Sequence, residues 1–337
     1  MFHRQIGSRA YDLVPHRYIG GLAAQIYDLA RLAFGAYPGV LVPSHEHRDW
    51  YLRRPGMDGD LSTAIVCEGT LVANVFVTVA ALRLGGRMLP VGIVDTVMTH
   101  PEHCRQGLAR WALTTAITGM RERGLSASVL YTVAGSMPYR FYESLGYLPH
   151  APVHYYRALL GGPPVADGCA RAMRADEGEA VRQFVDACAS RHDGYVPLDD
   201  RLWRWRRLER PSTIPATVWL VGAPAALRGC AAVCRASIVT AGGGQARCYV
   251  LSDLALAPGA DARGVLGALL GTIPPEAEAR TLSADSDPAL CATLEELGFQ
   301  RAATETAMVL PLTEQARAGL RGPRRPWYAL AESIIGV

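Results

Sequence analysis

The stretch Val97-Met98-Thr99-His100-Pro101-Glu102-His103-Cys104-Arg105-Gln106-Gly107-Leu108-Ala109 is the segment whose residue types best suit chemistry. An apolar run enters a short polar loop, and apolar residues at helical spacing leave it, so the loop opens onto a helix start. The first N–H groups of a helix have no partner within it and carry a partial positive charge. A glycine at 107 lets an anion approach them closely, and Arg105 places a cation nearby. The segment is therefore a phosphate cradle. Neither GxGxxG nor the GxxxxGKS/T pattern is present, so the same physics is used without a Rossmann or Walker loop.

Other clusters carry weaker signals. His45-Glu46-His47, and His100 with His103 and Cys104, have metal-binding residue types, but neither has the four-ligand spacing of a structural site, and no metal is expected. The run Leu198 to Arg210 holds Trp203, Trp205 and five arginines. It reads either as a helix that packs its aromatics and solvates its charges, or as a wall against an aromatic or acidic ligand.

The elements that must position the loop can be read from spacing. Leu22, Ile26, Leu29, Leu32 and Ala33 recur at helical intervals up to a stop at Gly35. Apolar runs at 62–67, 71–82 and 88–98, with Gly85-Gly86 as punctuation, predict adjacent antiparallel strands. Leu108, Ala112, Leu113, Ala116 and Ile117 predict a helix ending at Gly124. A strand at 127–133 and a helix from Met137 to Gly146 follow, the order that a mixed α/β (α+β) sheet domain needs.

At 337 residues, half of them hydrophobic, the chain is long enough for two domains. The low-periodicity segment 159–168 (LGGPPVADG after Leu159) reads as a linker between domains at 1–158 and 169–312, with a tail at 313–337. Late in the second part, Asp253, Pro258 and Gly264 echo Asp95, Pro101 and Gly107, and Leu294 to Phe299 (LEELGF) echoes Tyr142 to Tyr147 (YESLGY). Two matches in the same order predict a duplication. Because Leu294 replaces Tyr142 and ARGVL replaces the phosphate loop, the second copy is expected to be inactive.

The 34 Lys and Arg against 31 Asp and Glu leave a formal charge of +3, too balanced for bulk nucleic-acid binding. Eight scattered cysteines lack a disulfide framework, and no stretch approaches a membrane span, so a cytoplasmic protein with no membrane or nucleic-acid partner is expected. Oligomeric state is not readable.

The loop together with Phe141-Tyr142-Glu143-Ser144-Leu145-Gly146-Tyr147 resembles the GCN5-related N-acetyltransferases (GNAT), whose loop reads hydrophobic-x-Pro-x-x-Arg-x-x-Gly-x-Gly/Ala and whose later helix carries Tyr-Glu-x-x-Gly-Phe/Tyr. Two positions depart from the pattern: Cys104 stands where an arginine is common, and Gly135 where an asparagine often steadies the pantetheine arm. The resemblance implies acyl-CoA as co-substrate, held by Val97, Met98, Thr99, Arg105, Gln106, Gly107, Leu108, Ala109 and Ser136. It implies that the strand ending at Thr99 splays from the strand at 127–133, with the pantetheine between them. A neutral amine then attacks the thioester, a backbone N–H of the 95–98 segment meets the oxyanion, and Tyr142 protonates the thiolate. For the amine's proton, Asp95 and His192 are the candidates, each with a plain structural alternative.

The tandem form is similar to the enhanced-intracellular-survival type, which acetylates aminoglycosides, but only a short tail follows the second unit. It is more similar to the N-acyltransferases that place a fatty acyl group on the aminosugar of teicoplanin-type glycopeptides in antibiotic biosynthesis. An aminoglycoside or small-amine acetyltransferase is the alternative enzyme, and a non-catalytic acyl-CoA sensor the alternative outside catalysis.

Overall fold

The computed structural model describes residues 2–35, 37, 39–42, 44–161, 170–224 and 226–329. The strands are β1 (Phe2–Ile6), β2 (Arg9–Pro15), β3 (Thr63–Cys67), β4 (Thr70–Leu84), β5 (Arg87–Thr99), β6 (Ala127–Val133), β7 (Leu148–Leu159), β8 (Ala170–Ala172), β9 (Ala216–Ala223), β10 (Ala226–Val239), β11 (Gln245–Leu256), β12 (Glu278–Ala284) and β13 (Gln300–Pro311). The helices are α1 (Leu22–Phe34), α2 (His45–Leu52), α3 (Leu108–Glu122), α4 (Met137–Glu143), α5 (Gly178–Ala189), α6 (Asp200–Trp203), α7 (Ala262–Leu270), α8 (Pro288–Glu296) and α9 (Glu314–Arg321).

All the strands join one mixed sheet in the order β1-β2-β3-β4-β5-β6-β13-β7-β12-β11-β10-β9-β8. The expected mixed sheet is present, but it is continuous across both halves of the chain. Strand β13, from the end of the second half, inserts between β6 and β7, so that β6 pairs with β13 and β12 pairs with β7. At the centre β7 runs antiparallel to β13 with Val153 opposite Glu305, the same 152-residue separation that relates Tyr142 to Leu294. Leu159, the first residue of the expected linker, closes β7 against Glu278, and 162–168 lie outside the described residues.

Separate cores, the usual consequence of two domains, are not what the packing gives. One cluster, formed by Leu108, Ala112, Leu113, Ala116, Ile117 and Met120 of α3 against Tyr11, Ile65 and Val77 of the sheet, comes mainly from the first half but takes in Met308 and Leu310 of β13. Burying each large aliphatic side chain of that helix stabilises by about 1.5–3 kcal/mol. A second cluster joins Trp50, Tyr51 and Phe76 to Trp205, Ile214 and Cys234, so the halves share it. Trp50 and Trp205 stack with centroids 4.3 Å apart, and each indole N–H donates to the other residue's carbonyl (3.1 and 3.0 Å).

Candidate active site

Strands β5 and β6 are parallel neighbours only from Val91 to Ile93 against Ala127 to Val129. Beyond that point β6 stays bonded to β13 on its other edge, whereas β5 bends away. The cause is a bulge: Phe76 pairs with Asp95 and Asn74 with Met98, so Thr96 and Val97 together face the single residue Val75, and Thr96 takes φ 49°. Bulges increase local twist and re-aim the strand. The Asn74 side-chain amide donates to the Thr96 carbonyl at 2.9 Å and holds the bulge. This residue carries no signal that sequence reasoning used. A strand edge splayed in this way leaves backbone hydrogen-bonding groups that an extended ligand can pair with.

Past Thr99 a short 3-10 turn (Pro101–His103) leads to Gly107, which caps α3 at φ 76° with no side chain bonded to the cap. Nothing lies within 4 Å of where a Cβ at 107 would stand, so the helix N-terminus is open. Arg105 adopts φ 61°, a backbone region that favours glycine and costs a side chain of order 1 kcal/mol. The loop is held from behind: Tyr11 Oη donates to Gln106 Oε1 at 2.6 Å and lies 3.0 Å from His103 Nδ1. Gln106 therefore faces the protein with its side chain. Cys104 is exposed, with Sγ turned to the His100 carbonyl. His100, Glu102 and His103 bring ligand-type atoms within 4.8 Å of one another, while His100 Nδ1 accepts the Glu102 N–H and burial lowers the His103 pKa.

Val97 packs toward α3, and Met98 toward Trp50 and Phe76 on the opposite face of the sheet. Ser136 caps α4 by accepting the Tyr139 N–H at 3.2 Å, and Gly135 before it takes φ 73°. On α4, Tyr142 is 8% exposed. Burial, and then the negative charge of Asp95, push its phenol well above the ordinary value, which keeps the proton on oxygen at neutral pH.

Asp95 is more committed than the sequence suggested. Its Oδ2 accepts Arg54 Nη2 at 2.6 Å and its Oδ1 accepts the Thr96 hydroxyl at 2.8 Å. Arg54 is 5% exposed, also donates to Thr78 Oγ1 at 2.6 Å, and lies over the Tyr51 and Phe76 rings. This ion pair forms one wall of a cavity of about 610 Å³ between the halves. Ala80, Ala81 and Ile93 come from the first half, and Val196, Leu198, Leu202 and Trp205 from the second.

Two expectations are corrected by packing. His192 does not line this cavity. Gly194 and Tyr195 pair with Arg83, and the imidazole is turned to the Ala189 carbonyl (3.2 Å) beside a smaller cleft of about 110 Å³ lined by Asp253, Asp287 and Trp327. The run 198–210 is not a helix with solvated charges. It is α6 followed by a π-helical turn (Arg204–Leu208) in which Arg206 and Arg207 are buried against Asp253. Trp205 and Arg201 do face the large cavity.

The smaller cleft is the second half's counterpart of the β5/β6 slot. Strand β11 is parallel to β12 only from Cys248 to Leu251, then bulges, with φ 53° at Asp253. By register Asp253 matches Thr96, one residue from the Asp95 match expected from sequence. Here the cap has changed: Asp261 begins α7, Gly264 lies inside the first turn, and a side chain at 264 would collide with the Asp261 carboxylate. An acidic group thus sits at that helix start, and Trp327 and Tyr328 line the cleft.

Residues 22–149 match the family described as acetyltransferase (GNAT) domain. No curated protein resembles the sequence closely enough to match it. The chain is similar in structure to yeast (Saccharomyces cerevisiae) N-myristoyltransferase with bound myristoyl-CoA, at 10% identity and TM-score 0.70 over 91% of this chain and 80% of that one. It is similar to a GCN5-related N-acetyltransferase from Anabaena variabilis, at 15% identity and TM-score 0.64 over 90% and 73%. It is also similar to an Enterococcus faecalis protein described as a "probable N-acyltransferase", at 14% and 0.64 over 92% and 74%. At these identities the likeness speaks for the fold.

Proposed function

We propose that this acyltransferase, with a GNAT domain in its first half, moves the acyl group of an acyl-CoA onto the nitrogen of a primary amine. One arrangement carries the reading: the bulged end of β5 puts Asp95 on the wall of the inter-half cavity and within reach of the buried Tyr142 phenol by charge, and the same strand leads on to the open Gly107 helix start. The pyrophosphate rests on the N–H groups of Leu108 and Ala109, with Arg105 as counter-charge and Gln106 acting through its backbone. The pantetheine arm fills the slot along Val97, Met98 and Thr99, toward Ser136. The neutral amine attacks the thioester carbon, a backbone N–H of the 95–98 segment meets the developing oxyanion, the C–S bond breaks, Tyr142 gives its proton to the thiolate, and the proton shed by the acylated nitrogen restores the one Tyr142 has given up. Asp95, engaged by Arg54 and Thr96, orients the incoming amine.

Three carboxylates line the cavity with four arginines. Asp95 is paired with Arg54 and Asp186 with Arg182, while Asp199 caps α6. A polycation finds little free negative charge there. The remaining wall of Tyr51, Val79, Ile93, Leu202 and Trp205 suits a single amine carried on a large apolar scaffold, or a long acyl chain beside it. In its finest form the reading is a long-chain acyl donor and the aminosugar of a glycopeptide antibiotic, with the protein working in the cytoplasm, where the six buried cysteines without a disulfide among the described residues stay reduced. Acetyl-, octanoyl- and decanoyl-CoA assayed against teicoplanin pseudoaglycone and kanamycin test it. Amide formation on the glycopeptide with the longer donors supports the assignment, and turnover of kanamycin alone with acetyl-CoA overturns it.

The same reading takes 1–158 as the working domain and 169–312 as a related, eroded one, with 159–168 between them and 313–337 as the tail. Support comes from the paired bulges at Thr96 and Asp253 and from Val153 facing Glu305. The Asp261 carboxylate at the start of α7 leaves the second loop unfit for a phosphate.

A further inference from the structure

The tight turn between β4 and β5 is made by Gly85 and Gly86, both at positive φ (59° and 76°), and a turn of this kind leaves its two N–H groups pointing outward. Both are taken by one carboxylate from the second half. Gly85 N–H donates to Asp193 Oδ2 at 2.9 Å and Gly86 N–H to Asp193 Oδ1 at 3.0 Å, with Asp193 itself 3% exposed. The neighbouring backbone continues the join: Gly194 N–H donates to the Arg83 carbonyl (2.7 Å), and Arg83 N–H to the Tyr195 carbonyl (2.9 Å). The residues that follow at once, Val196, Pro197, Leu198 and Asp199, are a wall of the large cavity, across from Ile93 and Asp95. Their far end is fixed by Asp186, which accepts the Leu198 N–H (3.0 Å) and the Tyr195 hydroxyl.

We propose that Asp193 is a positioning residue for the acceptor: by gripping the Gly85-Gly86 turn it sets the spacing between the 196–199 wall and the β5 residues that face the amine. The inference rests on the reading that this cavity receives the acceptor. Asp193 is far along the strands from the Gly107 loop, which belongs to the opposite end of β5, so loss of its grip acts on one substrate only. A buried carboxylate with two N–H donors is specific in a way its amide is not, since an asparagine offers one acceptor oxygen and turns an NH₂ against the second N–H.

The test is two-substrate steady-state kinetics on the full chain, wild type against Asp193→Asn and Asp193→Ala, together with amide hydrogen exchange. Expected is a rise of about tenfold in KM for the amine with KM for acyl-CoA changed less than about twofold. Exchange accelerates at 84–87 and 193–199 but not in α3. Should Asp193→Ala fail to fold, Asp193→Asn carries both measurements. Equal rises in both KM values, or an unchanged KM for the amine in an active variant, overturn the proposal alone. A wild type that acylates no amine overturns the functional reading itself.

Discussion

Asp95 accepts the Arg54 guanidinium at 2.6 Å, and Arg54 is so buried that Asp95 is its counter-ion before it is anything to a substrate. Removing one partner of a buried pair leaves the other uncompensated, at a cost of about 3–5 kcal/mol where both are fully buried. Asp95→Asn is therefore expected to lower the urea midpoint as well as the rate. The pH profile separates the roles: an orienting Asp95 leaves the shape of the kcat/KM profile unchanged at reduced height, whereas a base loses its acidic limb. A vanished limb contradicts the assignment.

Tyr142→Phe keeps the ring in its cluster with Tyr147 and removes only the proton donor. The expected loss in kcat is about 10²–10⁴-fold, with acyl-CoA affinity unchanged. Turnover at the wild-type rate rules out Tyr142 as the acid.

Arg105 holds a left-handed backbone in the loop that leads to the open start of α3. Arg105→Gly relieves that conformation and removes a cation, so two opposite effects follow. Thermal stability rises by up to about 1 kcal/mol, while acyl-CoA affinity falls, more at low than at high salt. Loss of both stability and affinity contradicts this description of the loop.

His16 is buried against Phe76, and burial lowers its pKa to about 4, with the Arg54 charge acting in the same direction. The unfolded chain binds the proton near 6.5, so the folded state binds fewer protons between these values and loses stability as pH falls from about 6.5 to 4. The change amounts to about 3 kcal/mol, and it levels off below pH 4. Urea unfolding of wild type and His16→Gln across this range checks it: the variant is expected to show the shallower slope.

Much of the first half is legible in the sequence because its elements are amphipathic at clean periods. The spacing of Leu108 to Ile117 gives α3, and Gly85-Gly86 gives the hairpin. What spacing does not carry is partnership between distant segments. The insertion of β13 between β6 and β7 depends on edges that read as ordinary apolar strands, and the N-terminal hairpin of β1 and β2 is short, with polar residues interrupting both strands. At the site, Gly107 and Tyr142 announce themselves through motifs, but Arg54 and Asn74 do not: each acts through one contact made only after folding, on Asp95 and on Thr96. His192 misleads for the same reason, since a backbone pairing two residues later decides which way it faces.

The central claim is a single working acyl-CoA site, at the start of α3. Calorimetric titration of decanoyl-CoA into wild type, Gly107→Val and Arg263→Ala addresses it directly, because valine at a positive φ both strains the cap and fills the open approach. The account predicts one acyl-CoA per chain, binding weakened at least about tenfold by Gly107→Val, and no change for Arg263→Ala in the second loop. Two sites per chain, or one that survives Gly107→Val and is lost with Arg263→Ala, contradicts it.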